Sequence, residues 1–293
     1  MNDPLVTVIC NCYNHEKFVT QALNSVLDQS YKNIELIVLN NGSTDGSLRK
    51  IQDFTAKHPS VKLLNLTETL PHTQAFNKGF KQASGSYLID LSADDILLPN
   101  SIRDQVNCFA QQPTNVAIVF GNAFHIDENG NRHGSFFETD GENRVKDKGL
   151  FKTDYARLLN SGIVMCSASA MLTREHFELL NGFNERLFFE DLDYWLRAAY
   201  SYEIRFIDVH LVEKRELPSS LGNQFFKNDP VAKNINKSLQ IIYSEAINRN
   251  SKTENAILLK RIHHSMERSF STKNYSAFFK FALLELRCRL KRS

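Results

Sequence analysis

Short apolar runs alternate with amphipathic stretches from the start of the chain to about residue 122. Leu5–Cys10 suits a strand buried on both faces, and Glu16–Gln29 then sets Val19, Ala22, Leu23, Val26 and Leu27 on one side of a helix. The pattern repeats with a strand at Ile34–Leu39, a helix reaching about Lys57, a strand at Val61–Leu66, a helix over Thr73–Ala83 and a strand at Tyr87–Leu91. A further helix starts near Pro99 or Asn100, and Asn115–Asn122 is another strand. Asn129-Gly130, inside Ile126–Arg132, marks a hairpin turn. Strand and helix in strict alternation favour parallel crossovers. They predict an open doubly wound sheet with its ligand site at the strands' carboxyl ends. Residues 229–292 read as three helices.

Two polar clusters fall at those carboxyl ends. Asn40–Gly46 has the composition of a tight turn followed by a helix cap, and an amide there could also meet a nucleotide base beside a helix N-terminus. No Gly-x-Gly-x-x-Gly or Walker pattern follows the first strand, which sets aside dinucleotide and P-loop readings. In the second cluster an apolar strand runs into Ser92-Ala93-Asp94-Asp95. Adjacent carboxylates at a strand end are costly unless something positive faces them. They cap the next helix, or they hold a Mg²⁺ or Mn²⁺ whose shell is completed by phosphate oxygens.

Composition refines this picture. The chain has 293 residues, 42% of them hydrophobic, enough for one large α/β domain and a small appendage. Its net charge of +2 hides a division: residues 227–293 hold 14 Lys and Arg against 5 Asp and Glu, so the tail carries +9 and the body −7. Such a split suggests a body that works with acids and a tail that meets an anionic surface. Five cysteines fit neither a disulfide framework nor a zinc site, so they read as buried thiols in a reducing compartment. No run is long enough to cross a bilayer, and Met1–Pro4 is not the start of a secretion signal, which predicts a cytoplasmic protein. Nothing points to nucleic acid.

Four ordered blocks carry a family resemblance. Val8–Asn14 with Ser25–Tyr31, then Asn41–Asp45, then Ser92–Asp95 resemble the nucleotide-binding half of family 2 glycosyltransferases. Gly182–Glu185 leading into Phe189–Arg197 resembles that family's acceptor-side motif, and the similarity spans roughly residues 4–222. The resemblance implies a GT-A type Rossmann-like, doubly wound mixed sheet over residues 1–225. Its nucleotide half covers about 1–122 and its acceptor half about 123–225, with a basic helical tail at 226–293. It also implies an inverting transfer of sugar from a UDP-linked donor to a hydroxyl of a saccharide or lipid-linked acceptor, in bacterial surface polysaccharide or lipopolysaccharide synthesis.

Position by position, Asn11 and Tyr13 would flank the base and Asn41 would read its edge. Asp94 matches the metal-binding carboxylate of the Asp-x-Asp motif, and Asp95 would orient metal-bound water or cap the next helix. Ser92 stands where that motif has its first Asp, and Asn40-Asn41 where the family has Asp-Asp. Asp191 matches the general base, with Glu190 a second candidate to touch the acceptor. Asp193 reads as a solvated helix residue and Trp195 as core. Ile163–Leu172 resembles the segment lining the donor-sugar pocket, and residues 134–150 a mobile loop near the acceptor. In Leu211–Leu221, Arg215 is the family's diphosphate-facing Arg, but Leu217 replaces the His that should follow it. His125, His133 and His176 lack ligand spacing and read as surface or turn residues.

Asn40, Asn41, Ser92 and Leu217 keep open a non-catalytic relative that binds a nucleotide sugar or a partner. A sugar nucleotidyltransferase is a third reading, disfavoured by the absent Gly-rich triphosphate loop. In the tail, Tyr275, Phe278, Phe279, Ala282, Leu283, Leu286 and Leu290 share a face, with Lys280, Arg287, Arg289, Lys291 and Arg292 around and beyond it. That face either packs back on the catalytic domain or seats a peripheral anchor on the inner leaflet of the plasma membrane.

Overall fold

The computed structural model describes residues 3–112, 114–160, 165–218, 224 and 227–291. Met1 and Asn2, the start of the Ile163–Leu172 segment, Ser219–Leu221 of the last motif and Arg292 lie outside the described residues.

Four parallel strands form one half of a nine-stranded mixed sheet: β3 (Lys62–Leu66), β2 (Ile34–Asn41), β1 (Val6–Cys12) and β4 (Tyr87–Ser92), in that spatial order. Helices α1 (Val19–Leu27), α2 (Ser47–Lys57) and α3 (His72–Phe80) make the crossovers, each within a few residues of its sequence-predicted span. β1 shows why the pattern works. Val6, Val8, Cys10 and Cys12 enter one core cluster, while Ile9 enters the other with Phe76 and Leu88, so both faces of the strand are covered. Gly79 lets α3 lie close on β1, since a Cβ there would fall 2.8 Å from Ile9 Cγ2.

The second half is mixed. β8 (Met171–Thr173) runs antiparallel between β4 and β6 (Val116–Ile126), and β9 (Glu203–Arg215) lies parallel to β6. The expected hairpin joins β6 to β7 (Arg132–Ser135), with Gly130 at φ +88° in the turn. At the C-terminal end of β9, the two-residue β5 (Ile96–Leu97) pairs antiparallel with it and leads into α4 (Ser101–Ala110). This pairing lays Arg215 beside the Asp94-Asp95 turn.

The three expected C-terminal helices are α8 (Pro230–Arg249), α9 (Lys252–Ser271) and α10 (Tyr275–Leu290). Asp229 caps the first and Ser251 with Glu254 forms a capping box on the second. They follow α5 (Tyr155–Asn160), α6 (Arg174–Leu179) and α7 (Asp191–Ser201) in chain order. Their Leu239, Tyr243, Ile247, Ile262 and Phe281 belong to the same core cluster as Leu192 and Trp195 of α7, and Ser238 Oγ accepts from the Phe188 amide at 2.8 Å. α10 buries Ala277, Phe281 and Cys288 against α8 and α9. Of the face that was to pack back on the domain or to seat a membrane anchor, Tyr275, Phe279, Leu283, Leu286 and Leu290 remain 52–67% exposed. One helix can bury only one stripe, and the sequence offers two. No helix among the described residues is long and apolar enough to cross a membrane.

Candidate active site

The strand order reverses beside β1, and the carboxyl ends of β1 and β4 open there into a cleft of about 320 Å³. Its lining includes Ser92, Asp94, Asp95, Lys214 and Arg215 at one end and His72, Asp90, Glu190, Asp191 and Trp195 at the other.

At the first end, the turn after β4 is braced from β9. Asp95 is buried, and its Oδ1 accepts from the Arg215 amide at 2.8 Å. The Arg215 guanidinium is itself buried, donating to the carbonyls of Asp94 (3.0 Å), Asp127 (2.7 Å) and Glu128 (3.1 Å) and to Gln21 Oε1 (3.1 Å). Its Nε therefore shapes the Asp94-Asp95 turn directly, while its other guanidinium nitrogens are committed to Asp127, Glu128 and Gln21. Ser92 Oγ donates to Asp94 Oδ1, and His15 Nδ1 stands 3.8 Å from the same oxygen. Burial first, and then the adjacent Asp94 charge, push the Asp95 carboxyl up to about 8. A hard divalent cation on this pair of oxygen ligands would reverse that push, so the donor set fits Mg²⁺ or Mn²⁺. The side chain of Lys214, half-buried on the same wall, makes no hydrogen bond or ion pair with a described residue and draws the Asp95 carboxyl the other way. The sequence reading passed over it, and its only signal is a Lys one position before the motif Arg.

The second end is assembled from separate elements. Asp191 opens α7, where Leu192 N–H donates to its Oδ1 at 2.6 Å. Burial raises its carboxyl above the ordinary range; that amide, then Arg261 and His72, oppose the rise. Glu190 is pushed up to about 7, mainly by burial. His72, the first residue of α3, places Nε2 at 2.6 Å from Asp90 Oδ2 and 4.0 Å from Glu190 Oε2. Each of the three can bring a ligand atom within 4.8 Å of the others, a spacing that could take a cation, although the 2.6 Å contact is already that of a hydrogen bond. Trp195 is core, as expected, and also forms part of the cleft wall.

The predicted base-contacting residues sit outside this lining. Asn11 is buried, its amide nitrogen 2.7 Å from His72 Nδ1 and its oxygen without a partner among the described residues. Tyr13 is 46% exposed at the rim. Asn41 clasps the Leu70 backbone, donating to its carbonyl and accepting from its amide, both at 2.9 Å. Asn40 donates to Asn65 Oδ1 at 2.7 Å. Gly42, at φ +69°, passes so close to the Glu68–Thr69 backbone that a Cβ would lie 2.7 Å from Thr69 N.

Comparison with known proteins bears on what this cleft is. The profile of glycosyl transferase family 2 matches residues 7–180, more than half the chain. The chain belongs to glycosyl transferase family 2. An uncharacterized glycosyltransferase of Haemophilus influenzae is 35% identical over 132 residues, 45% of this chain and 52% of the relative. Another from that organism is matched over only 32% of its length, so the chain spans about half or less of these relatives. Among solved structures, S. aureus TarS in complex with UDP-GlcNAc superposes with a TM-score of 0.65 at 17% identity, over 91% of this chain and 73% of TarS. The mannosyltransferase PcManGT from Pyrobaculum calidifontis, in complex with GDP-Man and Mn²⁺, gives 0.63 at 19%, over 97% of this chain and 74% of that one. The fold is of the GT-A type.

Within this family 2 chain the structure also corrects smaller expectations. Asp193 is not solvated: it is buried and paired at 2.8 Å with Arg197, which in turn donates to the Leu180 and Gly182 carbonyls and so ties α7 to the preceding loop. The i,i+4 spacing of the pair was the readable signal. His176 is buried against Thr173 instead of lying on the surface. Residues 134–150 line no part of the cleft. Val145 is buried and its amide donates to Asp208 on β9 at 3.0 Å, so the segment packs on β9.

Proposed function

We propose that this family 2 protein is a metal-dependent inverting glycosyltransferase using a nucleotide-sugar donor, probed first as UDP-linked. The single observation that carries the reading is that one cleft is lined by both the Asp94-Asp95 pair and Asp191. A sugar hydroxyl is a poor nucleophile, and Asp191 is the group to take its proton as the new glycosidic bond forms on the face opposite the departing diphosphate. Its desolvation keeps it a stronger base than an exposed carboxylate. Glu190 lies next to it, on the acceptor's side. Asp94, with Asp95, would hold Mn²⁺ or Mg²⁺, which supplies positive charge to the diphosphate when bound. Lys214 adds a second, fixed positive charge from β9. Ser92 orients Asp94, and Arg215 holds the turn that carries both carboxylates. Asn11 and Tyr13 are assigned to the base, with Asn41 at its edge.

The acceptor is a saccharide or lipid-linked hydroxyl. The exposed apolar face of α10, flanked by Lys280, Arg287, Arg289 and Lys291, supports a peripheral seat on an anionic membrane surface from the cytoplasmic side. A non-catalytic nucleotide-sugar-binding relative is the second reading, favoured by one contact: Asn41 already uses both amide atoms on Leu70. Donor hydrolysis decides between them. Incubation with a panel of nucleotide sugars and Mn²⁺ should release nucleoside diphosphate from one of them; binding without release from any donor would favour the second reading.

A further inference from the structure

His72 and Asp90 belong to none of the motifs that place Asp94 or Asp191, and they meet Glu190, the residue just before Asp191. We infer that His72 is a positioning residue for the base: held as an imidazolium between Asp90 and Glu190, it adds to Arg261 a second positive charge that favours the ionised form of Asp191. The inference rests on the reading of Asp191 as base.

Geometry argues for a proton in this group and against a metal ion. Nε2 and Asp90 Oδ2 are 2.6 Å apart, the length of a charge-assisted hydrogen bond. A Mg²⁺ or Mn²⁺ bound to both at about 2.1 Å would see them at roughly 75°, well inside the right angle that octahedral coordination asks for. The other ring nitrogen is also provided for. Nδ1 is 2.7 Å from the Asn11 amide nitrogen, and that amide's oxygen is buried with no partner among the described residues. Turning the amide over exchanges two atoms of similar size and gives the oxygen a ring N–H to accept. Both nitrogens of a charged ring then have acceptors, Asn11 on β1 and Asp90 on β4.

The charges around the ring point the same way. Asp90 faces it from β4, and Glu190 and Asp191 from the start of α7; Arg261 of α9 acts on Asp191 from behind. Asp90 Oδ1 is buried and has no hydrogen-bond partner among the described residues, so the contact to His72 is what compensates this carboxylate there. Burial pulls the ring's pKa down, but the Asp90 charge, followed by that of Glu190, outweighs it and lifts the value to about 10. A group raised to that level carries its charge throughout the neutral range. Without it, three carboxylates would share one cleft end, and Asp191 would hold its proton to higher pH.

The test has one arm that needs no turnover. Histidine side-chain NMR on the full chain should show one ring, assigned by its loss in His72→Gln, still doubly protonated at pH 8 and neutral there in Asp90→Asn. In the second arm, the acid limb of kcat/KM for donor hydrolysis should move up by about one pH unit in His72→Gln. His72→Lys should return the limb toward the wild-type position. A neutral His72 at pH 8, or its selective broadening by Mn²⁺ without nucleotide, overturns the inference. So does an unmoved limb in a folded His72→Gln protein while Asp191→Asn remains inactive. If Asp191→Asn is active, the reading of the base fails first, and the NMR arm alone decides the charge on His72.

Discussion

Asp94 and Asp95 stand together just past one strand, whereas His72, Asp90, Glu190 and Asp191 are brought together from α3, β4 and the start of α7. The first end of the cleft is held largely through backbone: Arg215 reaches across from β9 and fixes the turn through its own amide, on Asp95, and through the Asp94 carbonyl, while the Asp127 and Glu128 carbonyls anchor its guanidinium. The second is held by charge, with a histidine set among carboxylates. A backbone-built site tolerates exchange of a neighbouring side chain better than a charge-built one, where each group sets its neighbours' acidity. The difference also divides the labour. One end is suited to a ligand that brings negative charge, the other to moving a proton.

Substitutions at the two ends should separate accordingly. Asp94→Ala removes the motif-matched anchor for the cation and should abolish transfer together with metal-dependent nucleotide binding; calorimetry of UDP with and without Mn²⁺ checks it. Asp191→Asn should leave that binding intact yet lower turnover by about a hundredfold or more. Because burial raises the Asp191 carboxyl, its base form is lost as pH falls through a value above the usual carboxylate range. The acid limb of kcat/KM in the wild type should therefore lie above pH 4, and a limb at pH 4 or below would argue against Asp191. Lys214→Met should cost about tenfold or more in kcat/KM, the value of one charged contact to the diphosphate, with little change in thermal stability. Equal kcat/KM for Lys214→Met and wild type would remove that charge from the site.

A smaller contrast tests the tail. Phe281 is fully buried in the shared core, and Phe281→Ala should destabilise the protein by about 3–5 kcal/mol in denaturant titration. Leu283→Ser with Leu286→Ser, on the exposed face, should change stability by less than about 1 kcal/mol and reduce sedimentation with anionic liposomes. Loss of stability without loss of liposome binding would mean that this face packs after all.

How far the sequence foretold each region follows from the same physics. β1 to β4 and their helices were readable because the central strands carry apolar runs and α1 a single stripe, as in Leu36–Leu39 and in Val19, Ala22, Leu23 and Val26. β9 was not, since its thirteen residues mix buried and half-buried positions beneath a covering segment. Asp94-Asp95 could be found because adjacent carboxylates after an apolar strand need an explanation. His72, Asp90 and Lys214 gave no such notice: each is an ordinary residue on its own element, and only the fold places them on one cleft. The burial of Asp193 was missed because an isolated acid near a helix start is most often solvated, and its Arg197 partner sits one turn away.

The most direct test of separate tasks at the two ends is calorimetric titration of UDP, with Mn²⁺ present, into Asp94→Ala and Asp191→Asn side by side. The account predicts that Asp94→Ala loses the Mn²⁺-dependent part of the affinity while Asp191→Asn binds like wild type. Equal affinities in the two variants, whether both retained or both lost, would contradict it.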